Sequence, residues 1–203
     1  PEEHNHFTTD DLILDIHPFT FYDTLYLDYS SSKPYSTNAY SAIHKVHDNF
    51  TPVHSYFNIS IKPDSLPENL QEKALIVNIK DGAKYPEGGY WNNGYVTTRT
   101  RSLGKFAVFI DTIAPVISPL NIYNKKNMSK SSQIIVRIYD NLSGIKSYNA
   151  YIDGKWILME HDAKNNLLSH YFDDRTLEGT HQFFLVVKDE KHNKSEFSAE
   201  FIR

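Results

Sequence analysis

Short runs of alternating apolar and polar residues recur along the chain. In residues 11–17 the side chains of Leu12, Leu14 and Ile16 share one period-two face. Such alternation is typical of a β-strand with one buried side. Further strands are predicted in the first half at residues 25–29, 56–62, 74–80 and 105–110. We therefore expect this half to form a β-sandwich domain.

Other local patterns interrupt these strands. A Ser-, Pro-, Asn- and Tyr-rich loop is predicted at residues 30–40, a turn or two of helix at residues 41–49, and a single helical turn at residues 64–70. Asn93-Gly94 predicts a tight hairpin, because Asn-Gly readily supplies two positive φ angles.

The second half contains seven predicted short strands and no helical pattern. They occupy residues 116–120, 133–139, 146–152, 155–160, 168–172, 182–188 and 196–202, separated by turn-forming residues. Even spacing of short strands is typical of an immunoglobulin-like sandwich. Cysteine is absent, so we expect Trp156 and the inward Ile, Val and Phe side chains to build the core without a disulfide.

Pro115 and Pro119 mark the segment that joins the two halves. Each proline fixes φ and removes a backbone donor, so the segment suits a stiff connector or an edge strand. The predicted fold class is all-β, with two β-sandwich domains in tandem: residues 1–112 form the first, and residues 113–203 form the immunoglobulin-like second.

Charge and composition exclude some partners. The net charge is −4 and the sequence has no Lys/Arg run, whereas binding to phosphate needs a cationic surface. We therefore expect no nucleic-acid partner. No apolar run approaches the roughly 20 residues of a membrane helix, so no membrane span is predicted. Because the first residues are no signal peptide, we expect a longer precursor that carries the targeting signal elsewhere.

Long stretches of the sequence resemble a known protein region. They are TPVHSYFNISIKPDSLPENLQEKALIV, GGYWNNGYVTTRTRSLGKFAVFIDT, DTIAPVISPLN, DNLSGIKSYNAYIDGKWILMEHDAKNN and GTHQFFLVVKDEKHNKS. These are similar to the C-terminal tandem β-sandwich region of envelope-anchored, lysostaphin-like peptidoglycan metallopeptidases of Gram-negative anaerobes. The resemblance implies an extracytoplasmic protein, in the periplasm or at the cell surface.

The zinc signature of that family is incomplete in this sequence. It requires a His-x-x-x-Asp motif and a His-x-His motif. Only His4-Asn5-His6 has the second shape, and no His-x-x-x-Asp precedes it. No catalytic residue is carried over. The resemblance thus implies the non-catalytic part of such a protein.

Three groups of residues are candidate sites. His44, His47 and His54 would supply three imidazoles to a metal ion if residues 41–49 were helical; surface or hydrogen-bonded histidines are the alternative. Oxygen ligands for a calcium ion at the domain junction would come from five turn residues: Asp111, Asp140, Asn141, Asp189 and Asn193. Backbone capping of tight turns is the more common use of such residues.

Aromatic residues around the Asn-Gly hairpin form the third group. Tyr90, Trp91 and Tyr95 would make a platform for sugar rings or peptide, with cross-strand packing as the favoured alternative.

The leading hypothesis is a non-catalytic binding or spacer module. Its partners would be the catalytic domain of the same precursor or a cell-wall or surface ligand, and calcium is the one candidate cofactor. Two alternatives remain open: a cell-surface adhesion or glycan-binding module, and a metal-dependent hydrolase that uses His44, His47 and His54.

Overall fold

The structure is a computed structural model that describes residues 1–33 and 38–203. The chain divides into two compact units, Pro1–Thr112 and Ile113–Arg203. Each unit consists of two β-sheets, so the prediction of tandem β-sandwiches is confirmed. Part of the loop predicted at residues 30–40 lies outside the described residues. No helix within the described ranges has the length and apolar character needed to cross a bilayer.

The described part of the first unit contains ten strands and one short 3₁₀ helix, Glu68–Lys73. In chain order the strands are β1 (Asn5–Thr8), β2 (Leu12–Ile16), β3 (Tyr29–Ser32), β4 (Ile43–Val46), β5 (Phe57–Ile61), β6 (Ala74–Lys80), β7 (Ala83–Gly88), β8 (Tyr90–Asn92), β9 (Tyr95–Thr100) and β10 (Gly104–Ile110). One sheet has the order β1-β2-β5-β9-β8 and the other β3-β4-β10-β6-β7, with antiparallel neighbours throughout.

Alternating burial along the strands builds the core of this unit. Strands β2 and β5 each bury every second residue, and Leu12, Leu14 and Ile59 are completely buried. A buried Leu, Ile or Phe side chain contributes about 1.5–3 kcal/mol relative to exposure. The alternation of apolar and polar residues in the sequence therefore identifies the core-facing side of these two strands.

The helix predicted at residues 41–49 is wrong, because this segment contains strand β4. Pairing with β3 on one side and β10 on the other turns His44 and Val46 toward the interior together. The strand predicted at residues 25–29 is also displaced, since β3 begins only at Tyr29. The 3₁₀ helix likewise begins later than the turn predicted at residues 64–70.

The second unit, which is described throughout, contains nine strands. They are β11 (Val116–Pro119), β12 (Lys126–Asn127), β13 (Gln133–Tyr139), β14 (Ile145–Ile152), β15 (Lys155–Ile157), β16 (Glu160–Asp162), β17 (Leu167–Tyr171), β18 (Thr180–Asp189) and β19 (Lys194–Ile202). One sheet has the order β11-β13-β17-β16 and the other β12-β19-β18-β14-β15. Only the short β12–β19 pair is parallel.

Two differences separate this unit from the seven predicted strands. Strand β12 has two residues, too few for a recognisable period. The strand predicted at residues 155–160 breaks into β15 and β16, which belong to different sheets. Trp156 was expected in the core, but 56% of it is exposed because it lies on the outer face of an edge strand.

Candidate functional site

Residues 155–162 cross from one sheet of the second unit to the other. Strand β15 is the last strand of its sheet, and β16 is the last strand of the opposite sheet. Between them Met159 is buried at 3% exposure, whereas Trp156 and Leu158 are exposed. The crossing segment thus anchors one side chain in the core and presents two large apolar side chains on the surface.

A groove of about 480 Å³ lies along this crossing segment. Trp156, Leu158 and Tyr171 line it, and each is more than half exposed. Concave surfaces of this size, with aromatic side chains and a few polar groups, are typical of small-ligand sites. The groove is therefore the candidate binding site of the second unit.

His170 lines the groove, and most of its side chain is buried beneath it. Its residue exposure is 7%, and its Nδ1 donates a hydrogen bond to the carbonyl oxygen of Leu158 at 2.9 Å. In the neutral imidazole this leaves Nε2 as an acceptor. Nε2 is buried and has no hydrogen-bond partner within the described part of the chain. A buried polar atom without a partner is costly, so a side-chain movement that opens Nε2 to a donor would be favourable.

Charged groups of both signs surround the aromatic side chains. Asp153, Glu160 and Asp173 line the groove together with Lys155 and Arg175. The guanidinium Nε of Arg175 lies 3.5 Å from Oδ2 of Asp173. This mixture produces no strong field of one sign, which suits a neutral or weakly charged ligand.

Asp153 and His181 form a hydrogen-bonded pair at one end of the β14–β15 turn. Their Oδ2 and Nδ1 atoms are 2.7 Å apart, and Nε2 of His181 donates to the carbonyl oxygen of Leu177. Burial disfavours the charged imidazolium, but these hydrogen bonds outweigh it and raise the pKa of His181. For Asp153, burial is likewise outweighed, by the Gln182 N–H and by His181, so its pKa is lowered.

The indole of Trp156 also forms a hydrogen bond. Nε1 donates to Oδ1 of Asn149 at 3.3 Å. A second, smaller cleft of about 370 Å³ shares Trp156 and Leu158 with the groove. These two exposed side chains therefore stand between two concave surfaces.

The hairpin residues predicted to bind a ligand are divided between two faces. Asn93 and Gly94 form the expected turn, with φ angles of 47° and 90°. Trp91 lies opposite Val96 and packs against the core. Tyr90 pairs with Thr97, and Tyr95 with Asn92, on the other face. A single platform of three rings is thus not formed, and ligand binding by Tyr90 or Tyr95 stays a prediction.

His44, His47 and His54 form no metal-binding group in the described residues. Nδ1 of His44 lies 2.9 Å from the Tyr29 hydroxyl, inside the unit, while Nε2 of His47 lies 3.2 Å from Oδ2 of Asp48. The exposed ring of His54 contacts Tyr22. A strand turns His44 inward where the helix would have aligned it with His47, so the three-histidine hypothesis is wrong.

Of the predicted calcium ligands, two carboxylates cap turns of the second unit. Oδ2 of Asp140 accepts from the N–H groups of Leu142 and Gly144. Oδ1 of Asp189 accepts from the N–H groups of Lys191 and Asn193. Carboxylate oxygens of the two aspartates lie within 4.8 Å of each other. Calcium binding stays a prediction.

The three other predicted calcium ligands lie at different places in the structure. Asp111 follows β10 in the first unit, where its N–H donates to the carbonyl oxygen of Lys73. Asn193 donates from Nδ2 to Oδ2 of Asp189, and Asn141 is exposed in the turn after β13.

Trp156, His170 and Tyr171 are site residues that the sequence reasoning missed. Trp156 was assigned to the core from its residue type alone. The Asp153-Gly154 turn directly before strand β15 is the available signal: both residues have positive φ, and a two-residue hairpin fixes which neighbours share a face. Nothing in the local pattern pairs His170 with Trp156, because the two residues come from strands of different sheets and meet only where both line the groove.

Comparisons with known proteins identify the first unit. Residues 1–111 match the model of the Zu5-like domain. The chain resembles an endo-β-1,4-mannanase from Thermotoga petrophila at 15% identity and a TM-score of 0.36, over 46% of this chain and 21% of that one. Fibronectin(III)-like modules of CbhA from Clostridium thermocellum resemble it at 13% identity and a TM-score of 0.35, over 73% of this chain and 85% of theirs.

These structural likenesses carry no argument about activity. The chain spans about a fifth of the mannanase it resembles. No curated protein matches the sequence significantly. The domain match, in contrast, covers more than half of the 203 residues, and the chain belongs to the Zu5-like domain family.

Proposed function

We propose that this chain is a non-catalytic binding module whose second unit holds a carbohydrate chain in the groove beside Trp156. The observation that carries the proposal is the combination of exposed Trp156 and Tyr171 with the unpartnered Nε2 acceptor of His170. The aromatic rings supply apolar contact area, and the buried acceptor supplies a directed hydrogen bond.

Sugar rings match both features. Their C–H faces pack on aromatic side chains, and their hydroxyl groups donate to buried acceptors. A small movement of the His170 side chain would open the covered Nε2 to the groove, and a sugar hydroxyl would then remove the cost of that unsatisfied atom. Carboxylates of Asp153 and Glu160 at the rim would accept from further hydroxyl groups. Because both signs of charge line the groove, a neutral polysaccharide is favoured over a polyanion.

Positioning is the second part of the proposed function. The resemblance to the sandwich region of envelope-anchored peptidases supports an extracytoplasmic location. A bound surface polymer would then hold a catalytic domain of the same precursor near its substrate. Such a role raises the effective concentration of a tethered domain without any chemistry in this chain.

Binding assays on the full chain test the groove directly. The probes are purified peptidoglycan sacculi and soluble neutral β-linked polysaccharides, with co-sedimentation and calorimetry as readouts. We expect Trp156→Ala and Tyr171→Ala each to weaken binding at least tenfold. Tyr90→Ala is the matched control, since Tyr90 is an exposed aromatic residue of the first unit, and it should leave binding unchanged.

Three results would contradict the proposal. Binding lost in Tyr90→Ala and kept in Trp156→Ala would move the ligand site to the hairpin of the first unit. Turnover of peptidoglycan by the purified chain with zinc supplied would make the chain an enzyme. An absence of binding to every polysaccharide would remove the carbohydrate as ligand.

A further inference from the structure

We propose that His4, Asp15 and His17 form a surface binding site for a divalent transition-metal ion, with zinc as the best-matched ion. The site lies on the edge hairpin of strands β1 and β2 in the first unit, and is separate from the proposed function. Three imidazoles and one carboxylate meet there if His6 is included.

Strand register brings these residues to one face. In the β1–β2 pair, His6 lies opposite Asp15 and Asn5 lies opposite Ile16. Side chains alternate along each strand, so residues two apart share a face. Ile16 is buried in the core, which leaves His6 and Asp15 on the outer side. His4 and His17, each two residues from one of these, project from the same side.

The potential ligand atoms already lie close together. Nε2 of His4 is 2.5 Å from Oδ1 of Asp15, and Nε2 of His17 is 3.8 Å from Oδ2. One ligand atom from each of the three residues lies within 4.8 Å of the other two. With metal–ligand distances of about 2.0–2.2 Å, neighbouring ligands of tetrahedral zinc are roughly 3.3 Å apart. Small side-chain movements would therefore complete the geometry.

A hydrogen bond from a neighbouring strand orients the carboxylate. Asn58 lies opposite Asp15 on strand β5, and its Nδ2 donates to Oδ2 at 3.0 Å. Such bonds to a ligating side chain fix its direction and strengthen metal sites. Hydrogen bonds from His4 and Asn58 also lower the pKa of Asp15, which agrees with an ionised carboxylate ligand.

Two of the histidines have ligand atoms that are not used elsewhere. Within the described part of the chain, the ring nitrogens of His6 and His17 approach Asp15 only at 4.0 and 3.8 Å, beyond hydrogen-bond length. Nδ1 of His6 is therefore available as a fourth ligand, or a water molecule would take that position. Imidazole and carboxylate ligands together suit zinc better than calcium or magnesium.

Calorimetric titration of the full chain with zinc chloride tests the site. We expect one saturable zinc site per chain, and no comparable binding of magnesium chloride. His4→Ala and His17→Ala should each weaken zinc binding at least tenfold. His161→Ala is the matched control, because His161 is an exposed strand residue of the second unit, and its zinc affinity should equal that of the wild type.

Spectroscopy of the unaltered protein provides a second test that needs no variant. Histidine side-chain NMR spectra recorded during the titration should show the signals of His4 and His17 changing first. Earlier changes at other histidines, unchanged affinity in His17→Ala, or no saturable binding would overturn the proposal. Asp15→Asn, which keeps the side-chain shape, should weaken zinc binding while the thermal melt in the absence of metal remains cooperative.

Discussion

The hydroxyl oxygen of Tyr29 lies 2.9 Å from Nδ1 of His44 inside the first unit. His44 is 1% exposed, and its Nε2 has no hydrogen-bond partner among the described residues. Burial lowers the pKa of His44 below its ordinary value of 6.5. The side chain is therefore a neutral core residue, which a strand has placed where a metal ligand was expected.

This burial predicts that acid destabilises the first unit through His44. The unfolded chain binds a proton at His44 near pH 6.5, whereas the folded chain binds it only at lower pH. Between those two values the unfolded state carries more protons, so the free energy of unfolding falls as pH decreases. We expect His44→Gln to reduce this slope. Denaturation by urea at several pH values measures it, and an unchanged slope would contradict the prediction.

The His181–Asp153 pair predicts the opposite pH response. Because the folded pKa of His181 is raised, its stabilising contribution is complete below the unfolded pKa and is lost as pH rises through the folded value. Asp153→Asn keeps the side-chain shape and removes the charge. We expect this substitution to lower the pKa of His181 in NMR titrations. Asp162→Asn, in a different turn, should leave the titration of His181 unchanged.

The two tryptophans are expected to differ in their effect on stability. Trp91 packs against the core of the first unit, whereas Trp156 is 56% exposed. Trp91→Ala should lower the free energy of unfolding by about 1–3 kcal/mol, less than for a fully buried aromatic residue. Trp156→Ala should change it by roughly 0.5 kcal/mol or less. Equal losses in urea denaturation would show that the exposed indole has a structural role.

Two glycines with positive φ allow the cost of backbone strain alone to be compared with the cost of strain plus steric crowding. Gly94 and Gly89 both have positive φ, at 90° and 132°. A Cβ atom on Gly94 would meet nothing within 4 Å, so Gly94→Ala should cost about 1–2 kcal/mol from conformation alone. On Gly89 it would lie 3.1 Å from Cγ1 of Val96 and 3.2 Å from the Thr97 carbonyl oxygen. We expect Gly89→Ala to lower the melting temperature more than Gly94→Ala.

Asp189 is expected to stabilise the second unit because its carboxylate accepts hydrogen bonds within one turn. Its Oδ1 accepts two N–H groups and its Oδ2 accepts Nδ2 of Asn193. Asp189→Ala leaves these donors unsatisfied. Each donor that stays buried should lower the free energy of unfolding by about 1–3 kcal/mol. We therefore expect a clear decrease in melting temperature. Asp162→Ala is the control, since Asp162 is exposed and its carboxylate accepts hydrogen bonds from Asn165, three residues away.

Melting temperatures measured with calcium and with a chelator distinguish two roles of Asp140 and Asp189. One role is hydrogen bonding to backbone N–H groups of their turns, and the other is calcium binding. A ligand that binds only the folded state raises the melting temperature, and the increase grows with the logarithm of ligand concentration above the dissociation constant. Equal values would leave backbone capping as the role of Asp140 and Asp189. A higher value in calcium would support the calcium prediction.

The sequence predicted the features that local patterns determine. Alternation identified the buried faces of β2 and β5, and Asn93-Gly94 identified its hairpin, because period and turn geometry are properties of neighbouring residues. Residues 41–49 were misjudged, since pairing with β3 and β10 decides their conformation. Tertiary contacts override a weak local preference for helix in such short segments.

The candidate site was much less predictable. Trp156 and His170 come from strands β15 and β17, which belong to different sheets. Their proximity follows from the break at Met159, where the chain leaves one sheet and joins the other. The same limit applied to the histidines: His4 and His17 are brought together by a strand register that sequence spacing alone does not reveal.

The break at Met159 also bears on how this surface avoids unwanted association. A long, flat, apolar edge strand invites pairing with a second chain. Strands β15 and β16 contain only three residues each, so neither edge offers a long continuous ladder. The protein can therefore display Trp156 and Leu158 to solvent without presenting a template for fibril growth.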